Sequence, residues 1–190
     1  MAGCKLTKSL DNKSCAYAVS GARTVYLANY HAPAEGTTAV AGRIVYQYDE
    51  DGYISSILLP EGDSFYEISG ESNTVSFTDA LLAGGNGGKY RQHTVNAVLN
   101  QYDVDVLNEG DALSLGRFIA IVIDNAGRGV VLGRTSGLTA PAGGFDYNSG
   151  AAESDATGWT VILQGTSTEI APLIKDATVI TPLYKETVTP

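Results

Sequence analysis

The chain has 190 residues, of which 44% are hydrophobic: enough for one substantial domain with its own core, and too apolar for global disorder. Against 21 acidic residues stand 12 basic ones, a formal net charge of -9 with no lysine or arginine run, which argues against a protein built to grip nucleic acid. No apolar run reaches membrane-spanning length.

Twenty-two glycines, with many Thr, Val and Ser residues, favour strands joined by turns over a helical bundle. Residues 1–22 are small and polar and read as an N-terminal arm, leaving 23–190 as a single β-rich domain. Cys4 and Cys15 lie in that arm without His or Cys partners, so they give no zinc signature. They admit a disulfide in an oxidised particle, and free thiols fit better in a protein folded in a reducing cytoplasm. Residues 1–19 lack the apolar centre of a secretory signal.

Residues 23–30 form the expected first strand, and 31–42, with Pro, Gly and Ala, a loop. Strands over 43–48 and 53–59 flank the turn Asp49-Glu50-Asp51-Gly52 and predict a hairpin. After Pro60-Glu61-Gly62-Asp63, the chain enters a strand at 65–68. The longest pair is 73–82 with 89–100, joined by Gly84-Gly85-Asn86-Gly87-Gly88, a wide and flexible tip. In the second member His93, Val95, Ala97 and Leu99 share one face, the alternation of a half-buried strand.

Residues 102–116 are the one helix candidate. Asp103 or Asp105 caps it, Val106, Leu107, Leu113 and Leu115 form its apolar stripe, and Gly110 weakens it. Two further strands, 118–123 and 129–133, flank the turn Asp124-Asn125-Ala126-Gly127-Arg128. A loop of Gly, Ala, Ser and Asp then leads to a strand over 158–165. The whole predicts an antiparallel β-barrel or sandwich with one flanking α-helix.

Three segments carry a resemblance. Leu132-Gly133-Arg134-Thr135-Ser136-Gly137-Leu138 matches a hairpin end of the form LG…NGL. Ser149-Gly150-Ala151-Ala152-Glu153-Ser154-Asp155 matches a small-residue loop with SGxA and an acidic residue. Gly158-Trp159-Thr160-Val161-Ile162-Leu163-Gln164-Gly165 matches GxTLTLxG. Near the N-terminus, Thr24-Val25-Tyr26-Leu27-Ala28-Asn29-Tyr30 matches a first strand xIYLANx. In these segments the chain resembles a family of virion structural proteins from tailed phages of gut bacteria, including crAss-like phages. The resemblance implies a virion protein made in the cytoplasm of a bacterial host. Its partners would be copies of itself in a ring, and other virion proteins. In long-tailed relatives the pattern is similar to tail-tube subunits, whose rings pass DNA. In short-tailed relatives a head–tail connector ring, auxiliary capsid or head-fibre protein is the alternative. A carbohydrate-binding β-sandwich, which needs an exposed aromatic platform, is a reading from a different class. The acidic charge has two readings, ordinary solubility or a conduit wall that repels DNA.

No residue pattern predicts catalysis, a cofactor or a metal. His31 and His93 sit on different elements. Asp49, Glu50 and Asp51 lack the alternating ligands and distant Glu of a calcium loop. Gly84 to Gly88 is not followed by the Lys and Ser/Thr of a phosphate loop. Gly127-Arg128-Gly129 offers nucleic acid a single arginine, and Ser136 and Ser154 lack a nucleophile elbow. The candidate functional residues are therefore structural. Trp159, the only tryptophan, is a core or interface anchor, and Gly84, Gly85, Asn86, Gly87, Gly88, Ser149 and Gly150 are assembly loops. The 11 tyrosines suit subunit interfaces, and equally suit strands.

Overall fold

Turn clusters cut the chain into short runs, and each run with β-branched or alternating residues finds a partner. The computed structural model describes residues 21–69, 74–99, 102, 104–151, 157–180 and 183. Its strands are Ala22–Asn29 (β1), Pro33–Ala34 (β2), Ile44–Tyr48 (β3), Ile54–Leu58 (β4), Tyr66–Ser69 (β5) and Val75–Ala83 (β6). Lys89–Leu99 (β7), Phe118–Asp124 (β8), Gly129–Leu132 (β9), Phe145–Asn148 (β10), Gly158–Ser167 (β11) and Leu173–Ile174 (β12) complete the set. One helix, Val104–Leu115 (α1), lies between β7 and β8. Among the described residues the protein is mainly β with a single α-helix, as composition and turn spacing predict.

Strand order is β10-β11-β7-β6-β1-β8-β9-β12-β4-β3-β2, with β5 beside β1. Most pairs are antiparallel, but β12–β4 and β2–β3 are parallel, so the sheet is mixed. It does not close into a barrel. β1 pairs with β6 only at Ala22–Val75, and β11 reaches β8 only through bridges of Leu138 to Phe118 and Thr139 to Gln164.

The middle of the sheet is buried on both faces. In β8, Phe118, Ala120 and Val122 join Val25, Leu27, Val95, Val161 and Leu163 in one core. Ile119, Ile121 and Ile123 point the other way into a second core with Ile44, Ile54, Phe65 and Ile174. This double burial is why β8 is a continuous apolar run, whereas β7 alternates. His93, Val95 and Ala97 of β7 are buried on one face, as expected.

Several expectations change, among them the loop over 31–42, which contains the two-residue strand β2. The arm ends one residue early, because Ala22 is buried and pairs with Val75 and Asp124 as the first residue of β1. Residues 1–20 of that arm, including both cysteines, lie outside the described residues, as do Asp103 and Glu153 to Asp155. The loop after β9 contains β10, a four-residue strand. Finally, the helix stripe holds only in part: Val106 is half-buried and Leu113 packs against the first core, but Leu107 is 48% exposed and Leu115 86% exposed. Gly110 is instead the buried residue of α1. A Cβ there would stand 3.1 Å from Phe145 Cε1, so the glycine admits the Phe145 ring of β10 against the helix.

Candidate assembly surface

Trp159 lies in β11, opposite Leu99 of β7 on one side and Tyr147 of β10 on the other. Phe145 and Tyr147, two apart on β10, share one face, and both rings meet the indole. Phe145 stacks on it with centroids 4.5 Å apart, and Tyr147 tilts against it at 5.2 Å. Tyr102, just before α1, stacks at 5.7 Å and meets Tyr147 edge-on at 4.6 Å. Trp159 is half-buried, whereas Tyr102 and Tyr147 are 60% and 41% exposed. Among the described residues the indole N–H has no acceptor. The tryptophan is thus the root of an aromatic cluster whose outer members face solvent.

Ser149 and Gly150 follow β10 directly, and Asn148, their neighbour, pairs with Gly158. The Gly150 N–H donates to Asn148 Oδ1 at 3.0 Å, and Gly150 takes φ 67°. The structure therefore brings Ser149 and Gly150 to the Trp159 end of the sheet. It does not bring the glycine tip there. Gly84 to Gly88 caps the opposite end of β7, about 33 Å away by strand rise. The tip is a closed turn rather than a wide one. The Gly84 N–H donates to Gly88 O at 2.7 Å, the Gly87 N–H to Gly84 O at 3.0 Å, and Asn86 Oδ1 accepts from the Gly88 N–H at 3.3 Å.

Among the described residues β10 ends the strand order and pairs on one side only, with β11, which leaves its other backbone edge without a strand partner there. The Ile162 N–H donates to Gly144 O at 2.7 Å. By strict alternation, the N–H and C=O of Asp146 and Asn148 then face β11, and those of Phe145 and Tyr147 face outward. Aromatic side chains and an unpaired backbone edge thus coincide.

A polar network lies under β9. Asp79 Oδ1 accepts from Arg91 Nε at 2.5 Å, and Oδ2 from the Ala171 N–H at 3.0 Å. His93 is 1% exposed, and its Nδ1 accepts from the Gly133 N–H at 3.3 Å. Burial pushes the His93 pKa below the ordinary value, outweighing the Asp79 and Glu169 carboxylates. Burial opposes ionisation of Asp79, but the Arg91 and Ala171 bonds and His93 together hold its carboxyl below the usual range. Arg134 and Glu169 form a forked pair, with Arg134 Nε to Oε1 at 2.7 Å and a second bond to Oε2. The Thr135 hydroxyl, 3.0 Å from Ser167 Oγ, joins Glu169 in the same network. His31 is elsewhere, 2.6 Å from Asp63. Among the described residues no three His, Cys, Asp or Glu side chains converge as metal ligands.

The partners of Trp159 were the part that sequence reasoning missed. Their signal is Phe145 and Tyr147 at strand spacing, hidden in a loop of glycine and serine. Comparison with protein-family models, curated proteins and solved structures yields no match.

Proposed function

We propose that this chain is a virion structural protein of a tailed phage, a tail-tube-type subunit that assembles into rings through which DNA passes. The observation that supports this reading is that, among the described residues, the outer edge of β10 has no strand partner and lies beside exposed Tyr102 and Tyr147. An unpaired edge templates another strand, and natural sheets usually blunt it with Pro, Lys, bulges or a covering element. β10 carries Phe145-Asp146-Tyr147-Asn148, with one charge and no Pro. A neighbouring subunit that adds a strand here gains backbone hydrogen bonds and two tyrosine surfaces in one step. The same chemistry serves a head–tail connector ring, an auxiliary capsid protein or a head fibre, and labelling of intact particles separates these positions.

Sedimentation velocity over a range of concentrations, with negative-stain imaging, tests the reading. Rings or tubes are expected from the purified chain. Tyr147→Pro, which removes an outward N–H, should associate more weakly than Tyr147→Ala, which keeps it. A chain that stays monomeric at every concentration and is absent from purified virions overturns the proposal.

A further inference from the structure

At the far end of the strand order, β2 pairs with β3 only at Pro33–Ile44 and Ala34–Val45. Beyond Ala34 the chain leaves β3 and opens a cleft of about 680 Å³, within the roughly 300–1,000 Å³ of small-ligand pockets. Glu35, Tyr46, Gln47, Tyr48, Ser55 and Arg134 line it. The assembly reading uses none of them.

The wall is built and held. Gln47 Nε2 donates to Thr37 O at 2.9 Å, which ties the departing loop to β3, and Ser55 Oγ donates to Gln47 O at 3.3 Å. The Arg134 guanidinium lies 5.5 Å over the Tyr46 ring, and Glu169 fixes it there through the forked pair. Tyr46 is 4% exposed, yet its hydroxyl has no hydrogen-bond partner among the described residues. Burial raises the Tyr46 pKa well above the ordinary value, so the hydroxyl remains a proton donor at physiological pH. Tyr48 follows two residues on, on the same face of β3, with 47% of its surface exposed.

We infer that this cleft binds a neutral saccharide. The exposed Tyr48 ring offers a flat apolar face to the C–H face of a sugar ring, while Tyr46, buried beneath Arg134, offers only its hydroxyl. Around that face, a phenol, an amide, a hydroxyl and a carboxylate offer both donors and acceptors to hydroxyl groups. The charge balance selects against an anion, since Glu169 neutralises Arg134 and Glu35 adds a negative charge. A purely apolar ligand is disfavoured because it would leave the Tyr46 hydroxyl without a partner.

The site does not depend on ring formation, so monomer purified by gel filtration serves for its test. Maltotriose, cellotriose and chitotriose are titrated by calorimetry and by saturation-transfer difference NMR. Saturable binding of at least one is expected, weakened about tenfold or more in Tyr48→Ala, a change of about 1.4 kcal/mol. Tyr46→Phe keeps the ring and removes the lone hydroxyl. It should leave thermal stability unchanged or higher while weakening binding, a split that a packing role alone does not produce. No saturable binding to any of the three sugars overturns the inference. So does binding that survives both substitutions, or binding of dextran sulfate in place of the neutral sugars.

Discussion

Asp79 stands directly opposite His93 across the β6–β7 ladder, yet its carboxylate is committed to Arg91 and to the Ala171 N–H, with the imidazole Nε2 3.4 Å away. The Gly133 N–H donates to Nδ1, so the neutral ring carries its proton on Nε2, toward Asp79. The two side chains together thereby join β6, β7, the end of β9 and the segment before β12.

A pH dependence follows. The folded state holds His93 below its ordinary value of 6.5, so between those two values the unfolded chain binds the extra proton. Stability contributed by neutral His93 is complete above pH 6.5 and falls as pH drops toward the folded pKa. Asp79, held below 3.8, adds loss in the same direction at lower pH. Melting temperature should therefore fall between pH 7 and pH 5, and the slope should flatten in His93→Gln. Equal slopes for the two proteins would show that another group titrates.

Gly165 meets its neighbours too closely for any side chain. A Cβ there would lie 2.1 Å from Gly137 O, and Gly137 itself takes φ 74°. The glycines of the Ser136-Gly137-Leu138 and Gly158-to-Gly165 segments thus touch, where Thr139 bridges to Gln164. Gly165→Ala should destabilise by about 3 kcal/mol, the upper part of the overpacking range, because a backbone oxygen cannot rotate away. Gly85→Ala meets open space and should stay within about 0.5 kcal/mol of wild type. Chemical denaturation of both variants makes the comparison.

Much of this fold is legible in the sequence because its longer strands announce themselves. β1, β3, β4, β6, β7, β8, β9 and β11 fall where alternation or an apolar run between turns predicts them. Asp124 shows why the turn after β8 is so readable: its Oδ1 accepts from the Ala126 and Arg128 N–H groups while Gly127 takes φ 80°. β2 and β12 have two residues each, too few for a period. Strand order was not legible, because placing β1 between β6 and β8 depends on contacts distant in sequence. The helix face was legible at Leu113, which packs against the core, and was missed at Gly110, where a missing side chain, rather than an apolar one, makes the contact. At the candidate surface Trp159 stood out as the single tryptophan, whereas Tyr102 and Tyr147 are ordinary until the fold gathers them around it.

Trp159→Ala should destabilise by about 3 kcal/mol, the lower part of the range for large aromatic truncations, since the indole is half-buried. Trp159→Phe retains the stacking on Phe145 and removes an N–H that has no acceptor among the described residues, so its cost should be smaller. The outward tyrosines should behave differently. Tyr102→Ser with Tyr147→Ser should leave the melting temperature near wild type and reduce self-association. Melting curves and sedimentation on the same samples separate anchor from surface. A large stability loss in the tyrosine double variant would assign those rings to the fold.

The protein should not bind duplex DNA tightly at physiological salt. The chain carries a formal charge of -9, and the structure already commits much of its positive charge. Arg91, Arg128, Arg134 and Lys175 pair with Asp79, Asp124, Glu169 and Asp49. Counterion release, the main source of nonspecific affinity, needs several free cations on one face. In a conduit weak contact is an advantage, because a wall that grips the genome would stall its passage. Anisotropy titration of a labelled duplex should give a dissociation constant weaker than about 10 μM at physiological salt. Assembly could gather Arg23, Arg43 or Lys89 from neighbouring subunits into one lining, so the titration is made on assembled material as well as on monomer. Submicromolar affinity with a steep salt dependence would contradict a passive wall and point to a connector that holds DNA.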